Sequence, residues 1–236
     1  MSLLVSNLKR AWEVRQPSGI LCHRFKFIYF PVSKAGGSST KIMIAEMEGL
    51  PITGNPHNAV PFEWVRAKDL DRYPDYKRFA IVRNPWARIL SCYRDKVYWQ
   101  RLESGEIIRR QKIFAGFARY NRLLRRELFH PNMTFDEFVR IVARIPDVFS
   151  DRHFRSQHKE FCQSNGTPFV EHLIRMEAYQ EQMQSFLSSV GADGFDIKHE
   201  HKTRKSKRSE QFDDELAGIV ARRYRRDIEL LHYAGP

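Results

Sequence analysis

The sequence predicts an α/β fold: a central parallel sheet flanked by helices, with a helix-rich second half. Two strand-turn-helix units carry that prediction, one at Lys26 to Glu48 and one at Phe79 to Val97. A third strand, Phe169 to Met176, followed by a helix from Glu177 to Val190, extends the pattern.

Residues 1 to 15 set Leu3, Leu4, Val5, Leu8 and Trp12 among Lys9, Arg10 and Arg15, the pattern of a short basic amphipathic helix packed at the N-terminus. The first unit reads KFIYFPVSKAGGSSTKIMIAEME. Phe25 to Phe30 has the aromatic and β-branched character of a buried strand and stops at Pro31. The small residues from Lys34 to Thr40 then open an apolar pattern of helical period through Ile42, Ile44, Ala45 and Met47. A strand that ends in a Gly-rich turn and opens a helix presents backbone N–H groups and the positive end of the helix dipole to whatever lies in front, which suits an anion. Lys34 precedes the glycines, so the order is not the G-x-x-x-x-G-K-[ST] of an ATP loop.

Gly49-Leu50-Pro51 and Gly54-Asn55-Pro56 mark a loop to about Phe62 that carries His57, a candidate base because it follows the anion turn. A short helical piece is expected from Pro61 to Leu70. The second unit begins with the strand Phe79-Ala80-Ile81-Val82. Asn84 is suited to cap the next helix and Pro85 to its first position, with Trp86, Ile89, Leu90, Tyr93 and Val97 as the buried face. Arg83 and Ser91 stand where a ligand outside the carboxyl ends of the strands would meet them.

Residues 101 to 126 interleave arginines with apolar side chains and read as one or two cationic amphipathic helices, suited to an anionic acceptor or to lipid head groups. Thr134 to Glu137 is a capping box for a helix that ends before Pro146. A loop with His153, Gln157, His158 and Cys162 follows. Gly191 closes the helix after the third strand. His199 to Arg208 is a polar cationic loop, and Ser209 is expected to cap one final helix. With no internal repeat, low-complexity tract or linker, the chain reads as a single domain over 1–236.

A formal charge of +12 favours acidic partners, whether nucleic acid, nucleotide, anionic membrane surface or polyanionic acceptor. Three dispersed cysteines, Cys22, Cys92 and Cys162, argue against a zinc site and a disulfide framework. Neither a membrane span nor a signal peptide is visible, so a cytoplasmic protein with peripheral membrane contact at most is expected.

FIYFPVSKAGGSSTKIMI resembles the 5′-phosphosulfate loop of sulfotransferases. FAIVRNPWARILSCYRDKV resembles their 3′-phosphate motif, with Arg83, Pro85, Arg88 and Ser91 in the frame R-x-P-x-x-R-x-x-S; Tyr93 to Lys96 matches the branch containing the Golgi carbohydrate sulfotransferases. The similarity continues at MTFDEFVR, DRHFRSQHKEFC, IRMEAYQEQ and YRRDIELLHY and covers nearly the whole chain. It implies a P-loop-like fold that binds 3′-phosphoadenosine 5′-phosphosulfate (PAPS) and passes its sulfuryl group to an acceptor hydroxyl or amine without a metal. Carried over residue by residue, Lys34, Ala35, Gly36, Gly37, Ser38, Ser39 and Thr40 hold the 5′-phosphosulfate, with Lys34 also catalytic at the bridging oxygen. Arg83 and Ser91 hold the 3′-phosphate. Lys202, Thr203 and Arg204 fall where family members fold a loop over the nucleotide. His57 is the first choice for the general base, with His158 and His153 next; His153, Gln157 and His158 lie in a segment the family uses near the acceptor. The family's Golgi members carry an N-terminal anchor and stem that this sequence does not show, so a bacterial relative or an excised catalytic domain is expected, the Met1 start and short length favouring the former. Cys162 matches a family cysteine whose partner is missing.

Two rival classes remain open from the residues alone. A nucleotide-dependent phosphoryl transferase would use a similar cradle, but the ATP-loop order is missing and Arg83-Asn84-Pro85 stands where an Asp for Mg²⁺ is wanted. A basic nucleic-acid or membrane-surface module fits the charge, yet no nucleic-acid motif accompanies it, and nucleic acid is not expected as a partner.

Overall fold

The computed structural model describes residues 16–54, 59–101, 107–109, 111–195 and 212–236. The expected N-terminal helix, His57, the 199–208 loop with Lys202, Thr203 and Arg204, and Ser209 lie outside the described residues. In chain order the elements begin with β1 (Ser18–Cys22), β2 (Phe27–Phe30), α1 (Gly37–Met47), β3 (Trp64–Arg66), β4 (Lys77–Val82) and α2 (Pro85–Tyr93). They continue with β5 (Trp99–Arg101), β6 (Ile107–Arg109), α3 (Ala115–Leu124), α4 (Phe135–Ala143), β7 (His172–Arg175), α5 (Tyr179–Ser189), α6 (Asp214–Arg223) and α7 (Arg225–Leu231). The chain divides into two compact units, Met1–Val82 with Gln157–His201, and Arg83–Ser156 with Lys202–Pro236.

The first unit is built on a five-stranded mixed sheet in the order β3-β1-β2-β4-β7. Its core is parallel: β2 pairs with β4, Phe30 opposite Ala80, and β4 with β7, Ala80 opposite Leu173. β1 and β3 add antiparallel edges. All four residues of β2 and Phe79 to Val82 of β4 are buried, as central strands covered on both faces require. Tyr29 stacks on Phe79 with ring centroids 5.0 Å apart, and Phe186 of α5 closes on Phe79 at 4.4 Å and on Phe27 at 5.6 Å. This aromatic layer fixes the level at which β2 ends and the Lys34 turn begins.

The expected helix over Pro61 to Leu70 is instead strand β3 followed by a 3₁₀ turn, Ala67–Arg72. Val65 is buried between exposed Trp64 and Arg66, a period of two, and pairs opposite Gly19 of β1.

In the second unit, Asn84 caps α2 as its sequence position predicts, its side chain accepting from the N–H of Trp86 (2.9 Å) and of Ala87 (3.2 Å). The α-helix ends at Tyr93, and a π turn, Arg94–Tyr98, carries the chain on to Trp99. Among the described residues of 101 to 126, β5 and β6 pair antiparallel rather than forming a helix, and α3 is helical. The β-branched pair Ile107-Ile108, set after Ser104-Gly105 in the sequence, favours a ladder over a helix. The capping box forms as expected, with Thr134 and Glu137 exchanging side-chain to backbone hydrogen bonds. The expected single C-terminal helix is two, α6 capped by Asp213 and α7 beginning after a break at Tyr224.

Candidate active site

The anion turn leaves β2 through Pro31 and reaches α1 with two left-handed residues in three, Lys34 at φ 70° and Gly36 at φ 73°. Gly36 is the N-cap and supplies no side-chain bond to the first turn, and no acidic residue stands in that turn. The positive end of α1 thus meets no acidic side chain in its own first turn, a field that suits an anion. The φ of Gly36 favours glycine, and a Cβ there would also come within 3.1 Å of the Met176 sulfur, closer than ordinary contact. Lys34, Gly36, Gly37, Ser38 and Ser39 are all partly exposed, whereas Ala35 and Thr40 are fully buried. Thr40 braces the turn from beneath: its hydroxyl lies 3.1 Å from the Gly36 carbonyl and 3.3 Å from the Tyr179 hydroxyl. Burial pushes the Tyr29 and Tyr179 phenols up, which keeps this underlying layer neutral.

In the second unit, Arg83 follows directly on Val82 and is half-buried, and Ser91 is buried on α2. The two arginines of the R-x-P-x-x-R-x-x-S frame differ in kind. Arg88 is buried, and its guanidinium donates to the backbone carbonyls of Arg155 (2.7 Å) and Arg152 (3.4 Å). It holds a neighbouring loop, a role that sequence spacing does not disclose.

That loop, 147–156, is tied down from α6 and the break after it. Arg223 reaches the Asp147 carboxylate at 2.7 Å, the Ser150 hydroxyl at 3.0 Å and the Ser156 hydroxyl at 3.2 Å. Tyr224 donates its hydroxyl to the Phe154 carbonyl at 2.6 Å. Within the loop, the Asp151 carboxylate accepts from the His153 ring Nδ1 (2.6 Å) and from the His153 backbone N–H (3.0 Å), with Arg119 3.4 Å from its other oxygen. Burial works to raise the Asp151 carboxyl, but the bonds and charge of His153, joined by Arg119, outweigh it and hold the group below the ordinary range. For His153, burial comes first and drives its pKa below the ordinary value, helped by the cations Lys96 and Arg152 and opposed by Asp151. A neutral imidazole with its Nδ1 proton on Asp151 offers Nε2 as a base. The Asp151 partnership was not foreseen in the sequence, although the D-x-H spacing was there to read.

Gln157 and His158 belong to the first unit, on a 3₁₀ turn, Gln157–Glu160, and both are buried. His153 and His158 thus fall in different units despite their five-residue separation. Cys22, Cys92 and Cys162 are free and buried. Burial pushes the Cys22 thiol up to about 12.

A left-handed turn with a lysine at its entrance and no acid at the helix start, set after a strand of a parallel sheet core, is an arrangement suited to an anionic group in an α/β protein. A model of the sulfotransferase family matches residues 18–234, and the chain belongs to that family, whose members are PAPS-dependent enzymes and include the Golgi carbohydrate sulfotransferases. No curated protein and no solved structure matches it significantly.

Proposed function

We propose that this sulfotransferase moves the sulfuryl group of PAPS to a hydroxyl of a carbohydrate, an anionic glycan in particular, with both units acting as one domain over 1–236. The observation that carries the donor end is the turn itself: Lys34 left-handed at its entrance, Gly36 left-handed at its exit, and an α1 N-terminus free of acidic residues. In this reading Lys34 and the residues from Ala35 to Ser39 receive the 5′-phosphosulfate, Thr40 shapes the turn, and Arg83 and Ser91 take the 3′-phosphate. Lys202 and Thr203 belong to the nucleotide site and His153, Gln157 and His158 to the acceptor side. The acceptor oxygen attacks sulfur as the bond from sulfur to the 5′-phosphate oxygen breaks. Lys34 and the helix N–H groups stabilise charge on that departing phosphate, a task of positioning and electrostatics like phosphoryl transfer.

The acceptor proton goes to a base, assigned to His57 by its place after the cradle. A second reading gives the role to His153, and the 2.6 Å bond to Asp151 favours it. Loss of a general base costs about 10²–10⁴ in rate. A His57→Ala variant with turnover within about tenfold of wild type would therefore move the role to His153, provided His153→Ala shows the larger loss. For the donor, calorimetry should show binding of 3′,5′-adenosine bisphosphate in preference to ATP with Mg²⁺. Preference for ATP, or indifference to the 3′-phosphate, would favour a phosphoryl transferase.

A further inference from the structure

The second unit exposes four large apolar side chains that its core does not use: Leu123 (79% exposed) and Leu124 (55%) at the end of α3, and Val148 (61%) and Phe149 (56%) on the 147–156 loop. The two segments adjoin, because Tyr120, one turn before Leu123 and Leu124, donates its hydroxyl to the Phe149 carbonyl at 2.7 Å. Phe149 is held in place as well as exposed, with its N–H on the Pro146 carbonyl at 2.9 Å and the next N–H, of Ser150, on Asp147 at 3.1 Å. Exposed arginines lie next to these residues in the same two segments: Arg122, Arg125 and Arg126 on the α3 end and Arg152 on the loop. Of the acidic groups in these two segments, Asp147 is bound to Arg223 and Asp151 to His153, which leaves Glu127 as the exposed one.

We propose that this face docks on an anionic lipid surface, with Leu123, Leu124, Val148 and Phe149 entering the headgroup boundary and the arginines contacting lipid phosphates and carboxylates. Exposed apolar side chains with exposed arginines beside them complement such a surface in both chemistry and charge. A second copy of the chain is a poor occupant, since a two-fold contact would set the arginines against each other. Among the described residues no helix is long and apolar enough to cross a membrane, so the contact is peripheral. The inference is independent of the donor chemistry.

The test is co-sedimentation of the full chain with vesicles of phosphatidylcholine alone and of phosphatidylcholine mixed with phosphatidylserine. Binding is expected to the mixed vesicles and to fall with added salt. Arg125→Gln with Arg126→Gln should weaken it about thirtyfold, at about fivefold for each arginine at a membrane surface. Leu123→Ser with Phe149→Ser should weaken it about tenfold or more through lost apolar burial. These positions are exposed, so melting temperatures should stay near wild type. Failure to bind mixed vesicles would overturn the proposal. So would binding that survives the Leu123→Ser, Phe149→Ser pair, which would assign the effect to unspecific charge. Self-association in the absence of lipid that the same pair abolishes would give the face to a second copy instead.

Discussion

Gly36→Ala tests the cradle most directly, and Gly49 supplies its control. Both glycines are left-handed, at φ 73° and 65°, and they flank the same helix α1. An L-residue in that region costs about 1–2 kcal/mol. The smaller conformational freedom of alanine in the unfolded chain returns about 0.4–1 kcal/mol. A Cβ on Gly49 meets nothing within 4 Å, so Gly49→Ala should cost only the difference, about 1 kcal/mol. At Gly36 the Cβ also meets the Met176 sulfur at 3.1 Å, which for a flexible methionine adds about 1 kcal/mol. For a chain of this size each kcal/mol moves Tm by roughly 2–4 °C, so Gly36→Ala should melt about 4–8 °C below wild type and Gly49→Ala about 2–4 °C below. Calorimetry should then separate them by function: binding of 3′,5′-adenosine bisphosphate weakens about tenfold or more in Gly36→Ala, because the first N–H groups of α1 shift, and is unchanged in Gly49→Ala. Placing Gly36→Ala in a Met176→Ala background isolates the steric part as a coupling energy. If Gly36→Ala bound the bisphosphate as tightly as Gly49→Ala did, the turn would not be the anion cradle.

Lys34 is a non-glycine residue at φ 70°, so Lys34→Gly should stabilise the fold by up to about 1 kcal/mol while abolishing transfer, measured by thermal melting beside a radiolabelled-sulfate assay. Arg88→Lys leaves an ammonium where a planar fork reached two carbonyls; chemical denaturation should show a loss of about 2–3 kcal/mol. His153 is expected to titrate below its ordinary 6.5 in a histidine NMR titration, and lower still in Asp151→Asn, which removes the charge opposing the shift. Between the folded pKa and 6.5 the unfolded chain binds more protons, so His153 contributes fully above about 6.5 and that contribution is lost as pH falls towards the folded value. His153→Gln should flatten this limb of the stability curve.

The features legible in the sequence are those whose cause is local. At Gly36 the left-handed backbone and the close approach to Met176 favour glycine, and Asn84-Pro85 and the Thr134–Glu137 box state their helix starts outright. The edges β1 and β3 were missed or misread because each exists only through its partner: Trp64-Val65-Arg66 has one buried residue and no intrinsic strand run, and Gly19 opposite Val65 makes it one. Arg88 was named only as part of a motif, since an arginine on a helix reads as solvated until the carbonyls it serves, more than sixty residues away, are known. His153 was a candidate by resemblance; its anchoring to Asp151 is local and stood in the D-x-H spacing, whereas its lowered pKa comes first from burial, which no local pattern reports.

The break between α6 and α7 shows why periodicity misled at the C-terminus. From Phe212 to Leu231 the apolar spacing suits one helix, yet Tyr224 leaves helical geometry at φ −113°, ψ 25°. The break sits where the chain has a better use for its donors: Arg223 and Tyr224, adjacent in sequence, both serve the 147–156 loop, Arg223 through Asp147, Ser150 and Ser156 and Tyr224 through the Phe154 carbonyl. A continuous helix would turn neighbouring side chains about 100° apart, and the altered backbone at Tyr224 lets both face one loop. With Arg88 holding the Arg155 carbonyl from α2, three buried or half-buried side chains fix the backbone on both sides of His153. These bonds to carbonyls and to Asp147 offset part of the conformational entropy lost in ordering that loop. The rigidity falls on the segment that holds the Asp151–His153 pair at one end and presents Phe149 outward at the other, and it explains how a loop without regular structure can keep both in fixed geometry.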